Sequence, residues 1–165
     1  MTGATAFGHA SGASILFPPA LEAAPVPIGG IPTYNDSEAV EQVREWARMA
    51  ARAADAKGGD DTVILEVGKV LAITDAFVIT SGRNHRQVRT IAEEVEARVK
   101  SDGGPSPLRM EGADQAEWVL LDYGDFVVHV FLDDTRSYYD LERLWADAPR
   151  LAWGEPASAS ASAAE

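Results

Sequence analysis

Two apolar runs joined by a two-residue turn constrain this chain more than any other feature. Trp118-Val119-Leu120-Leu121-Asp122-Tyr123 and Phe126-Val127-Val128-His129-Val130-Phe131 flank Gly124-Asp125. Glycine at the first of two turn positions is the signal for a type II′ turn, which needs φ > 0 there. The unit is therefore an antiparallel hairpin. Along its first strand, Trp118, Leu120 and Asp122 share one face, and Val119, Leu121 and Tyr123 the other.

The flanking sequence alternates in period. Val40, Val43, Ala47, Ala50 and Ala54 recur at helical spacing. Asp36 or Ser37 can cap that helix, Glu38 and Glu41 suit its positive first turn, and Gly58-Gly59 stops it. Thr62–Val67 is a β-branched run and reads as a strand. Ala76–Thr80 is a second, continuously apolar one that suits burial on both faces. Asn84, with Gln87 three residues on, opens a helix to about Lys100. Its core side is Val88, Ile91, Ala92, Val95 and Val99, and Gly103-Gly104-Pro105 ends it. Leu108–Met110 is a short strand, so strand, helix and strand follow one another in a βαβ pattern. Ser137, with Asp140 three residues later, caps a last short helix whose apolar face is Leu141, Leu144 and Trp145. Pro149 prevents its continuation. The expected order is α-β-β-α-β-β-β-α: an α/β domain with a mixed sheet of about five strands flanked by helices, the hairpin at one side.

Residues 36–153 hold all of these elements. Residues 1–35 read as a disordered arm, since the first 33 carry five of the nine prolines and a single charge, Glu22. The patch Ile15-Leu16-Phe17 ends at Pro18-Pro19 with no Lys or Arg before it, unlike a signal peptide. The arm lacks the Arg of a transit peptide. Residues 154–165 read as a disordered Ala/Ser tail. No apolar run approaches the roughly 20 residues of a membrane span. A cytoplasmic protein with no membrane partner is expected.

Charge narrows the partners. The formal net charge is −12, and residues 34–153 hold 23 acids against 14 bases, so the folded part is itself acidic. Such a body has no broad basic surface for sequence-independent DNA binding and favours a basic protein partner. The absence of cysteine excludes disulfides, Cys-ligated metals and a thiol nucleophile.

Groups able to do chemistry are few. His9 lies in the arm, His85 in the first turn of a helix, where the dipole disfavours its protonated form, and His129 in mid-strand. Asp122 and Asp125 flank the turn and could hold a hard cation, but turns also select Asp, and no third acid has ligand-like spacing. Ser81-Gly82 before a helix is a weak phosphate signal, and no Gly-rich nucleotide motif is present. Neither catalytic residues, metal nor cofactor is expected. Arg83, Arg86 and Arg89, with His85, form a stretch without an acid: either a solvated helix start or a contact to RNA phosphate. Arg136, Tyr138, Tyr139, Leu141, Glu142, Arg143, Leu144 and Trp145 have the composition of a binding hot spot. Within it Leu141 and Leu144 read as core, whereas Trp145 and one tyrosine suit core and surface equally.

Two stretches resemble a known family. One is Leu71-Ala72-Ile73-Thr74-Asp75-Ala76-Phe77-Val78-Ile79-Thr80-Ser81-Gly82 with Arg86-Gln87-Val88. The other is the hairpin followed by Arg136-x-Tyr138-Tyr139-x-Leu141-Glu142-Arg143-Leu144-Trp145. Together, over roughly residues 37–150, they resemble the ribosomal silencing factors (RsfS, Iojap-related). The resemblance implies a nucleotidyltransferase-like fold without the catalytic carboxylates, and no enzyme activity. It implies a translational repressor that binds the fourteenth protein of the large ribosomal subunit and blocks subunit joining when nutrients are short. Large-subunit assembly through the same docking face is the alternative. The resemblance also implies a homodimer when free, while an incidental ribosomal RNA contact is expected from the basic stretch. The partner face it implies combines Asp122, Tyr123, Asp125 and His129 with Arg136, Tyr139, Glu142 and Trp145.

Overall fold

The computed structural model describes residues 36–154; the expected arm and the tail from residue 155 lie outside the described residues. Helix α1 (Asp36–Ala56) leads into β1 (Asp60–Glu66) and β2 (Ala76–Gly82). Helix α2 (His85–Ser101) connects to β3 (Arg109–Glu111), β4 (Trp118–Asp122) and β5 (Phe126–Leu132). Two short helices, α3 (Asp133–Tyr139) and α4 (Leu141–Leu144), end the series.

The five strands lie in the order β1-β2-β5-β4-β3. β2 and β5 are parallel, and the other neighbours are antiparallel, so the sheet is mixed as expected. The hairpin is not at one side, however. β5 is central, and β4 and β5 separate the two strands that α2 joins. The physical reason is burial. Every residue of β4, and all of β5 before Leu132, is buried, whereas the three residues of β3 are half-buried and tolerate an edge. Gly124 adopts φ +86°, and Tyr123 N–H donates to the Phe126 carbonyl at 3.0 Å, closing the turn.

One sheet face packs on α1 and α2 through Ile64, Val78, Val119, Leu121, Val128 and Val130, against Ala47, Ala50, Ile91 and Val95. The α1 stripe is wider than its periodicity suggests, because Ala51 and Ala53 are also buried. The Asn84 side chain caps α2 by accepting from Gln87 N–H at 2.9 Å. The Gln87 side chain reaches one residue further back than a capping box, accepting from Arg83 N–H at 2.8 Å.

The chain after α4 covers the free edge of β1. Glu66 N–H donates to the Pro149 carbonyl (2.8 Å), Leu151 N–H to that of Ile64 (2.9 Å), and the Trp153 indole to that of Thr62 (2.9 Å). An edge so covered cannot template pairing with another chain. Replacing Trp153 with alanine is expected to cost about 2 kcal/mol, through lost packing and an unpaired Thr62 carbonyl, measured by urea unfolding.

Candidate functional site

The second sheet face presents Phe77, Ile79 and Ser81 from β2, Val127, His129 and Phe131 from β5, and Trp118 and Leu120 from β4. Helices α3 and α4 meet it through Arg136, Tyr139 and Trp145. The rings form a chain of contacts. Trp145 packs edge-on to Phe77 (centroids 5.7 Å apart), and Phe77 edge-on to His129 (4.8 Å). The Trp118 indole N–H donates to His129 Nδ1 at 3.1 Å. Trp118 then meets Tyr139 at 4.7 Å, and Tyr139 meets Tyr138 at 5.0 Å. Geometries of this kind add about 1 kcal/mol per pair beyond area burial.

His129 sits at the middle of this chain, 1 % exposed. An indole N–H can only donate, so Nδ1 is the acceptor and the neutral ring carries its proton on Nε2. That Nε2 is buried without a partner. Burial holds the His129 pKa down to about 3, so the ring is neutral at neutral pH.

Arg136 fastens α3 and α4 to the sheet. Its Nε and Nη2 donate to both Glu142 carboxylate oxygens, at 3.2 and 2.6 Å. Nη1 donates to the Asp60 carbonyl (3.0 Å) and Ser81 Oγ (3.1 Å), and Nη2 also to the Asp61 carbonyl (2.7 Å). The planar fork is thus used on both sides, a pattern lysine cannot reproduce. Asp61 (φ +46°) and Asp140 (φ +47°) hold left-handed backbone at the two ends of this latch. The first belongs to the β1 irregularity between Asp60 and Val63, and the second lets α3 break into α4. Each such residue costs on the order of 1 kcal/mol, which the Arg136 bonds offset. An open cleft beside Arg136 is lined by Asp60, Asp61, Asp133, Asp140 and Glu142.

The expected partner face is therefore corrected. Asp122, Tyr123, His129 and Arg136 are buried, so they support the surface and do not form it. Asp122 Oδ1 accepts from Gly124 N–H at 2.8 Å, and Oδ2 lies 3.6 Å from Arg109 Nε, so this carboxylate serves the turn and an edge ion pair. Tyr123 points to the α1–α2 side and stacks on Phe126 at 4.4 Å. Burial first, and the Glu96 charge second, push its phenol well above the ordinary range. Asp125 is exposed at the hairpin turn. Asp75 N–H donates to the Asp125 carbonyl at 2.8 Å; burial and then the Asp125 charge raise the Asp75 pKa.

Tyr139 (37 % exposed), Glu142 and Trp145 do reach the surface. Two neighbours join them. Tyr138 is 81 % exposed, and Leu144, expected in the core, is 61 % exposed. Leu144 is displaced because Ser137 does not begin the last helix. α3 starts at Asp133, and Asp133-Asp134 form its first turn, where acids suit the helix dipole. The left-handed Asp140 then reorients the four residues of α4. Val70 and Ile73, in the β1–β2 connection, are further exposed apolar residues that periodicity did not single out. Of the expected basic stretch, Arg83, Arg86 and Arg89 are all exposed, and Arg89 also donates to the Ala113 and Asp114 carbonyls at 3.2 and 2.7 Å.

A buried aromatic chain with exposed Tyr138, Tyr139 and Leu144 and half-buried Trp145 around it, beside an acidic cleft, has the composition of a protein-docking surface. Comparison with known proteins agrees with the two motif stretches. The profile of the family "Ribosomal silencing factor during starvation" matches residues 40–165. The chain belongs to the ribosomal silencing factor family. It is 44 % identical to ribosomal silencing factor RsfS of Bacillus subtilis, over 62 % of this chain and 86 % of that protein. It is 32 % identical to "Mitochondrial assembly of ribosomal large subunit protein 1" of Mus musculus, over 52 % of this chain and 38 % of that protein. Among solved structures, it resembles a Chromobacterium violaceum protein with a TM-score of 0.61 and 35 % identity, covering 63 % of this chain and 86 % of that one. A Bacillus halodurans protein follows with a TM-score of 0.57 and 39 % identity, covering 66 % and 98 %. No helix among the described residues of this silencing-factor chain is long and apolar enough to cross a membrane.

Proposed function

We propose that this protein binds the large ribosomal subunit through its fourteenth protein, on the face where the small subunit docks, and represses translation by blocking subunit joining. The carrying observation is the set of side chains that α3, α4 and the residue after them bring to the surface, exposed Tyr138, Tyr139 and Leu144 with half-buried Trp145, bordered by Asp133, Asp140 and Glu142. Apolar anchors beside carboxylates suit a basic ribosomal protein: the rings supply affinity, the acids on-rate and salt dependence. The mechanism needs occupancy and bulk alone. A domain of about 120 residues spans roughly 30 Å, more than a subunit interface can accommodate. On this reading the protein is not an enzyme, and incubation with labelled nucleotide and magnesium should give no transfer.

The double substitution Tyr138→Ala, Leu144→Ala tests the face. Both side chains are exposed, so the melting temperature should stay within about 2 °C of wild type. Affinity for the isolated ribosomal protein, by calorimetry, should fall about thirtyfold, or about 2 kcal/mol. Unchanged affinity would place the docking surface elsewhere. A role in large-subunit assembly is favoured by the name of the mouse relative. It would appear as preference for immature large-subunit particles over mature ones.

A further inference from the structure

Beside the start of α2 the acidic body carries a group of cations. Lys57 follows α1, while Arg83 and Arg86 flank the start of α2; the three are exposed and come from separate parts of the sequence. Gln87 brings them together. Its Nε2 donates to the Lys57 and Gly58 carbonyls at 3.2 and 3.0 Å, while its Oε1 accepts from Arg83 N–H at 2.8 Å. The Asn84 cap fixes the Gln87 backbone in turn. No acid occurs between Gly82 and Ala92. Among the described residues Arg44, Arg48, Arg98, Arg109 and Arg136 form ion pairs with carboxylates, whereas Lys57, Arg83 and Arg86 form none.

The group also has a defined place. Gly82 pairs with Leu132, and Asp60 with Ser81, so Arg83 leaves the sheet at the end where α3 and the acidic cleft begin. One end of the sheet thus offers carboxylates on the α3 side and unmatched cations on the α2 side. A ribosomal protein embedded in RNA presents the complement: basic side chains next to phosphates.

Resting on the docking reading above, we infer that Lys57, Arg83 and Arg86 contact the phosphate backbone of ribosomal RNA beside the protein docking surface. The contact is one of charge and carries no sequence preference. Arg83→Ala, Arg86→Ala tests it, since neither side chain is buried and both lie outside the aromatic docking face.

Binding of full-length protein to purified large subunits is measured over a salt series. The double variant should lose about tenfold in affinity at low salt, and its log–log salt slope should flatten by about 1 to 2. Arg83→Lys, Arg86→Lys should restore the wild-type slope, because lysine keeps the charge. Affinity for the isolated ribosomal protein should be the same for all three. An unchanged slope with intact wild-type binding would overturn the RNA contact alone. An equal loss towards the isolated protein would make the group a protein contact and also overturn it. Failure of the wild type itself to bind large subunits would remove the docking reading, and this inference with it.

Discussion

Replacing Arg136 with alanine is expected to destabilise the domain by about 3 kcal/mol, roughly 10 °C in melting temperature. Arg136 is 8 % exposed, and its guanidinium makes five hydrogen bonds, two of them to one carboxylate. Its removal leaves Glu142 unpaired, Ser81 Oγ buried without this partner, and two carbonyls uncovered at the strained start of β1. Arg136→Lys should recover less than half of the loss, since an ammonium cannot span both sides. Binding to the large subunit should fall in both variants at temperatures where they remain folded, because α3 and α4 carry the docking residues. Urea unfolding checks the first part; a loss below 0.5 kcal/mol in the alanine variant would contradict the latch.

The second large effect is on pH dependence. Native His129 stays neutral to about pH 3, whereas in the unfolded chain it takes a proton near pH 6.5. Between those values the unfolded state binds more protons, so stability falls as pH falls. The slope is about 1.4 kcal/mol per pH unit, which gives about 2 kcal/mol lost between pH 6.5 and 5. The dependence fades through pH 6.5 and is nearly gone about one unit above it. His129→Gln keeps an acceptor for the Trp118 indole but cannot be protonated, so its stability should be nearly flat over the same window. Parallel loss in wild type and variant would mean that His129 is not the group responsible.

The hairpin, β2 and α2 were legible because each satisfies a local rule: a Gly-first turn, a continuous apolar run, an Asn cap followed by period 3.6. What was not legible depends on partners far along the chain. The central place of the hairpin follows from pairing between β2 and β5, about 50 residues apart, which no window of sequence displays. Arg136 reads as a surface cation until Asp60, Asp61 and Ser81 are brought to it. Asp122 and His129 share the polarity of contact residues, yet one holds the turn and the other accepts from Trp118. Leu144 fits an amphipathic pattern only if the helix begins at Ser137. Tyr139, Glu142 and Trp145 were identified by the family motif and by hot-spot composition, and the structure gives each of them some exposure.

On the proposed function, this family member acts on the large subunit by occupancy. The most direct test is co-sedimentation of the full-length protein with separated subunits, followed by a joining assay on the same samples. Binding to the large subunit alone is expected, with joined particles declining in proportion to occupancy. Tyr138→Ala, Leu144→Ala should restore joining. Saturated large subunits that still join at the normal extent would contradict it.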